Sequence, residues 1–220
     1  MKIFLPLFLL LLVACQSESN TPAKTDKAKT PMEVNPAAKG FNLDESDPRA
    51  IALADSVMLA MGGRQAWDNT RFLRWDFFGR RRLTWDKLTN KVRIDFLDQN
   101  IIVSANTSGT KGWVYKDGGM VESIDESVKW VKKAREIWIN DSYWLVMPFK
   151  LKDSGVMLKH LGTDTTSTGA QVEVLQLTFS EVGVTPENKY HVYVDPETWL
   201  VSEWAYFAKT ENEKPDIVTP

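Results

Sequence analysis

RFLRWDFFGRRRLTWDKLTNKVRIDF, residues 71–96, decides the fold. In KVRIDF, Val92, Ile94 and Phe96 fall on one side while Lys91, Arg93 and Asp95 fall on the other. Successive side chains of a β-strand point to opposite faces, so this period of two predicts a strand with one apolar and one solvated side. The same parity groups Leu73, Trp75 and Phe77 on one preceding strand, then Leu83 and Trp85 on the next. Thr89-Asn90 supplies a hairpin turn. Three antiparallel strands sharing a single greasy face follow.

Upstream, the period is helical. Asp47 is an N-cap with Pro48 at the first helical position, and Ile51, Ala54, Met58 and Met61 recur at helix spacing until Gly62-Gly63 stops them. Downstream, strands are expected near 101–104 and 112–116, with a turn at Asp117-Gly118-Gly119. Ser123 and Glu126 then form a capping box, and Val128, Val131, Ala134 and Trp138 mark the apolar stripe of a second helix. Asn140-Asp141 is expected to weaken that helix and Pro148 to end it. Further strands are expected at 156–161, 172–179, 189–194 and 200–207, the last two joined by the turn Asp195-Pro196-Glu197-Thr198. The sum predicts an α+β fold: a curved antiparallel sheet, an open half-barrel, with helices covering its concave face.

The first fifteen residues read as an address. Lys2 is followed by an apolar run, Ile3 to Val13, too short to cross a bilayer, and the run ends in Leu12-Val13-Ala14-Cys15. This resembles the bacterial lipobox, in which the thiol is acylated and the peptide cut just before it. Residues 1–14 are then a lipoprotein signal peptide and Cys15 the lipidation site, holding the protein to a membrane by its acyl chains. Residues 15–46, rich in Ser, Thr, Lys, Ala and Pro, read as a flexible tether, 47–210 as the folded domain and 211–220 as a tail. Gln16 after the cysteine lacks the Asp that would suggest inner-membrane retention, so the expected location is the cell envelope, on the outer membrane facing the periplasm.

Composition excludes several classes. The 27 Lys+Arg against 29 Asp+Glu give no basic excess for nucleic acid, and one Cys permits no intramolecular disulfide. His160 and His191 stand thirty-one residues apart without ligand spacing, so each is expected to be a strand-face imidazole with a hydrogen-bond partner. The chain has no nucleophile elbow, phosphate loop or dinucleotide fingerprint, and neither metal nor cofactor is implied. The expectation is a protein that is not an enzyme. Arg80, Arg81 and Arg82 form one basic cluster, read either as contacts to anionic lipid headgroups or as a strand face kept soluble by charge.

Nine Trp and ten Phe carry more aromatic area than the length requires. Leu73, Trp75, Phe77, Leu83, Trp85, Val92, Ile94, Phe96, Trp113, Trp138, Tyr143 and Trp144 are expected on the concave face or its covering helix. There they either fill a core or wall an apolar cavity for a flexible chain such as palmitate. Three stretches bear on that choice: GGRQAWDNTRFLRWDFFG (62–79), INDSYWLVMPFKLKDSG (139–155) and NKYHVYVDPETWLVSEWAYF (188–207). In order and spacing they resemble the lipoprotein-localisation-factor superfamily, the LolA/LolB-like carriers and acceptors, over residues 48–207. That resemblance implies an open barrel with a helical lid over a cavity for acyl chains. The expected partner is thus a lipid or acylated lipoprotein, bound and passed on without covalent chemistry, with Gly62-Gly63 and Asn140-Asp141 as hinges of the lid. The alternative is a non-enzymatic interaction or envelope-sensor module with a filled core.

Overall fold

The computed structural model describes residues 34–180, 182–183 and 185–219; the leader, Cys15 and the first part of the tether lie outside them. The order of elements is α1 (Pro48–Ala60), α2 (Gly63–Asn69), β1 (Phe72–Phe77), β2 (Arg81–Asp86), β3 (Lys91–Phe96), β4 (Ile101–Asn106), β5 (Gly112–Lys116), β6 (Gly119–Met120) and α3 (Ile124–Val146). A 3₁₀ turn at Met147–Phe149 leads into β7 (Val156–Thr165), β8 (Gln171–Phe179), β9 (Lys189–Val194), β10 (Val201–Phe207) and β11 (Ile217–Thr219).

The fold is α+β with antiparallel strands, as the periodicities predict, but the strands form two sheets rather than one. β1 to β6 pair in sequence order as a six-stranded meander, and β7 to β11 as a five-stranded one. The 23-residue helix α3 separates them in the chain, so no tight turn joins β6 to β7. Neither sheet closes on itself.

Each sheet has its own core. In the first, Leu83, Val92, Ile94 and Val103 are fully buried and pack with Val131 and Ala134 of α3. Gly112 allows that approach, because a Cβ there would sit 2.6 Å from Val131 Cγ2 and 2.3 Å from the Ser104 carbonyl. In the second, Leu158, Leu175, Leu177 and Val192 pack with Ala50, Leu53, Ala54 and Val57 of α1. The buried stripe of α1 is therefore 50, 53, 54, 57 and 58, with Ile51 and Met61 only half-buried. Gly62 and Gly63, at φ of 99° and 84°, end α1 as expected, and α2, which no apolar period announced, begins at once.

Two boundaries differ from the sequence reading. Residues 35–46 are not a loose tether. Ala38, Asn42 and Asp47 donate backbone N–H to the carbonyls of Lys152, Val156 and Leu158, and Gly155 donates to that of Gly40. This strap lies along the β7 edge, where unpaired backbone groups would otherwise face water. Its near end is pinned by Asn35 Nδ2, which donates to Asp55 at 2.8 Å, while Lys152 pairs with the same carboxylate at 2.6 Å. At the other terminus, part of the expected tail is β11, which pairs with β10 through Trp204↔Thr219 and Tyr206↔Ile217.

α3 also departs from expectation. It runs unbroken from its Ser123 cap, whose hydroxyl accepts from Glu126 N–H, past Asn140-Asp141 to Val146. Asp141 is 1% exposed and takes two hydrogen bonds from Arg81 of β2, at 2.8 and 3.2 Å. An ion pair at this position clamps the helix rather than loosening it, so Asn140-Asp141 is no hinge.

Removing one member of a buried ion pair strands the other, whereas replacing both with apolar groups is often neutral. Asp141→Ala should accordingly destabilise the protein by about 2–4 kcal/mol, and Arg81→Met with Asp141→Leu should recover most of that in chemical denaturation.

Candidate functional site

The C-terminal half of α3 presents Ile139, Ser142, Tyr143 and Val146 at positions i, i+3, i+4 and i+7, one face of the helix. Asp141, tied to Arg81, lies on the side toward the first sheet and thereby fixes the rotation of that face. Beneath it opens a cavity of about 570 Å³. Trp85 of β2, Val156 of β7, Phe179 of β8 and Tyr190 of β9 complete its apolar walls, with Trp138 from α3. Its polar lining comes from Glu136, Asn140, Lys150, Asp153, Thr185 and Asn188. Lys150 pairs with Asp153, and Asn188 Nδ2 donates to Thr185 Oγ1 at 2.6 Å.

Two runs of rings support these walls. Phe149 stacks on Trp67 with centroids 4.5 Å apart, Trp67 meets Trp85 at 6.5 Å, and Trp85 meets Trp138 edge-on at 5.2 Å. The Lys87 ammonium sits 3.4 Å from the Trp67 centroid, and burial lowers its pKa. On the other side, Tyr143 lies 5.5 Å from Tyr190, which in turn lies 5.3 Å from Trp204. Burial pushes the Tyr190 phenol up to about 12 and raises Tyr143 as well, so both remain protonated at neutral pH.

Of the twelve residues expected to line a cavity, Trp85, Trp138 and Tyr143 do so. Leu83, Val92, Ile94 and Phe96 are instead packed core, each at most 4% exposed, with Trp75 and Phe77 against them. Leu73 is half-buried opposite Trp85 in the β1–β2 ladder. Trp144 belongs to the second core, 4.3 Å from Trp204. Trp113 corrects the reading outright: it is 41% exposed, because Val114 faces the core and strand parity turns its neighbour outward. Among the walls that the sequence reading missed, Tyr190 was legible from the alternation Tyr190, Val192, Val194, and Val146 from the helical spacing to Tyr143.

The arginines do not act as a cluster. Arg81 is bound to Asp141, Arg82 pairs with Asp76 at 2.6 Å on the opposite, exposed face, and Arg80 is exposed in the β1–β2 turn. The histidines divide too. His160 Nε2 lies 2.5 Å from Glu173, which also takes a bond from Arg49 at 3.0 Å; the His160 contact is the main reason that the Glu173 pKa is lowered. His191 lacks the expected partner, for its buried Nε2 has none and its ring lies 4.6 Å from that of Phe207. No group of three or more His, Cys, Asp or Glu suited to a metal occurs among the described residues, and none of their helices is long and apolar enough to cross a membrane.

No protein-family model matches this chain. A search of curated proteins finds no match either.

A second hollow, of about 850 Å³, lies between the strap and the outer side of α1. Its apolar residues Val34, Leu43 and Leu59 stay 46–67% exposed, so it is a surface groove. The cavity under α3 differs in having walls that are buried or half-buried rings and aliphatics, which is the usual form of a small-molecule site.

Trp85 Nε1, Trp138 Nε1 and the Tyr143 hydroxyl, all on cavity-lining residues, are buried without a hydrogen-bond partner. A buried unsatisfied group costs about 1–3 kcal/mol. Tyr143→Phe removes one such group and should raise stability by about 1 kcal/mol, read as an increase in thermal midpoint. For His191, burial first and the Lys189 charge second bring the pKa down to about 4 from 6.5. Because the unfolded chain binds the proton more readily, this residue's contribution to stability is full above pH 6.5 and falls as pH drops towards 4. His191→Phe should flatten the fall in thermal midpoint across that window, and an NMR titration of His191 should centre near 4.

Proposed function

We propose that this protein is a lipid-anchored envelope protein that receives the hydrocarbon chain of a lipid or acylated lipoprotein in the cavity under α3 and hands it on without covalent chemistry. The observation that carries the reading is the 570 Å³ apolar hollow between α3 and the second sheet. It falls within the range of roughly 300–1,000 Å³ typical of ligand pockets. Each methylene transferred from water to such a site contributes about 0.8 kcal/mol, which favours a long chain over a small polar solute. The lipobox at Leu12 to Cys15 and the LolA/LolB resemblance of residues 48–207 support the same reading.

In this account the two sheets are the halves of an open barrel, and α1 and α3 cover its concave side. Acyl chains on Cys15 hold the domain at the outer membrane, facing the periplasm. The lid pivots at Gly62-Gly63, where positive φ already sets the chain between α1 and α2. A chain enters by parting Tyr143 from the second sheet and Trp138 from Trp85 of the first.

The dense core of β1 to β4 favours a second reading, an interaction or sensor module without a ligand. Lipid mass spectrometry on the full chain, purified in maltoside, separates the two. A carrier should retain about one acyl-bearing lipid per protein beyond the chains on Cys15, and Ser142→Leu, which fills the cavity, should lower that yield several-fold. Absence of retained lipid, or equal retention in Ser142→Leu, would leave the module reading.

A further inference from the structure

Two open sheets have four edges, and three of these are blunted. The strap runs along β7, while β6 and β11 are only two and three residues long. β1 is the fourth, a six-residue edge, and among the described residues β2 is the only element packed along it. Arg80 N–H donates to the Phe77 carbonyl and Lys87 N–H to that of Arg71, so the odd-numbered residues of β1 turn their backbone groups to β2. Those of Phe72, Arg74 and Asp76 point the other way and meet no partner among the described residues. Such a row of unpaired N–H and C=O groups is a template for another strand.

Charge decides which strand fits. Arg74 and Asp76 lie two positions apart on the solvated face of β1. Arg71, Arg82 and Arg93 each hold a carboxylate on this sheet, whereas Arg74 has none among the described residues. A second β1 running antiparallel, with Trp75 facing Trp75 across a two-fold axis, sets Arg74 of each copy opposite Asp76 of the other. Leu73 then faces Phe77 on the apolar side, and all three apolar residues of that side are only half-buried in the single chain. The neighbouring registers that keep the bonding parity face Arg74 with Arg74 or Asp76 with Asp76, and like charges directly opposite are destabilising. Phe72 and Phe78, at the two ends of the edge, are 59% and 71% exposed, and the two-fold brings Phe72 of one copy to the Phe78 end of the other.

We propose that two copies of this chain join through β1, antiparallel about Trp75, so that their six-stranded sheets run on as one. The contact is isologous: each copy supplies both members of the Arg74–Asp76 pair, and the assembly closes at two. The same two charges that keep unrelated strands off the edge select a second copy of it in a single register. The dimer stands independently of what the cavity holds.

Sedimentation equilibrium of the full chain in maltoside, at concentrations up to about 100 μM, tests the association. The native chain should reach a dimer. Arg74→Asp sets a carboxylate opposite Asp76, and Asp76→Arg sets a guanidinium opposite Arg74, so each variant alone should dimerise at least about tenfold more weakly. Mixed in equal amounts, the two variants place opposite charges together at both positions, and the mixture should regain a dimer near native affinity. A second pair of variants reads the register without reversing charge. When Arg74→Cys and Asp76→Cys are mixed and oxidised, 74–76 disulfides should exceed 74–74 and 76–76 links at least about fivefold in peptide mass spectra. A native chain that stays monomeric, charge variants that dimerise as well as the native chain, or disulfides without the 74–76 preference would overturn the proposal.

Discussion

The Arg81–Asp141 ion pair is the constraint on which the arrangement of this molecule turns. α3 belongs to both cores: Val131 and Ala134 pack on the first sheet, while Tyr143 and Trp144 pack on the second. A helix serving two sheets must hold one rotation along its length, and apolar contacts alone allow it to roll. The pair between β2 and the penultimate turn of α3 supplies a directional tie at 2.8 Å, with its carboxylate 99% shielded from water. Burying charge is costly in itself, so the tie is better understood as specifying one arrangement than as adding stability. Given that rotation, Ile139, Ser142, Tyr143 and Val146 face the second sheet, and the cavity exists.

Cavity and core are consequently different parts of one aromatic system. Between α3 and β1 to β4, aliphatic side chains pack with Trp75, Trp85 and Trp130. Beyond Trp138 the partners become Phe179, Tyr190 and Trp204, rings set 5–6 Å apart. Core and hollow meet at Trp85 and Trp138, which belong to both.

Much of this was legible in the sequence. The sequence reading located nine of the eleven strands, the first three by period-two alternation, because a strand with one face in a core must alternate. The same rule fails where burial is shared. β6 and β11 are two and three residues long, too short to show a period, and α2 is a seven-residue helix that leaves only Gly63 buried. Asn140-Asp141 misled because helix propensity is local, whereas the partner that holds Asp141 lies sixty residues earlier. The site was read only in part for a related reason. Aromatic content marked the right residue type, but which rings face a void depends on how two separate sheets meet α3, and that is not encoded within any single strand.

The strap has a mechanical consequence. Its backbone bonds run in step with residues 152–158, and Ser154 and Val156 in that segment are walls of the cavity. Tension applied to the polypeptide upstream of Asn35 is shared among those bonds and delivered to the edge of β7, at the cavity itself. The strap and the cavity wall are in this way one load path, so force on the strap is converted into strain at that wall.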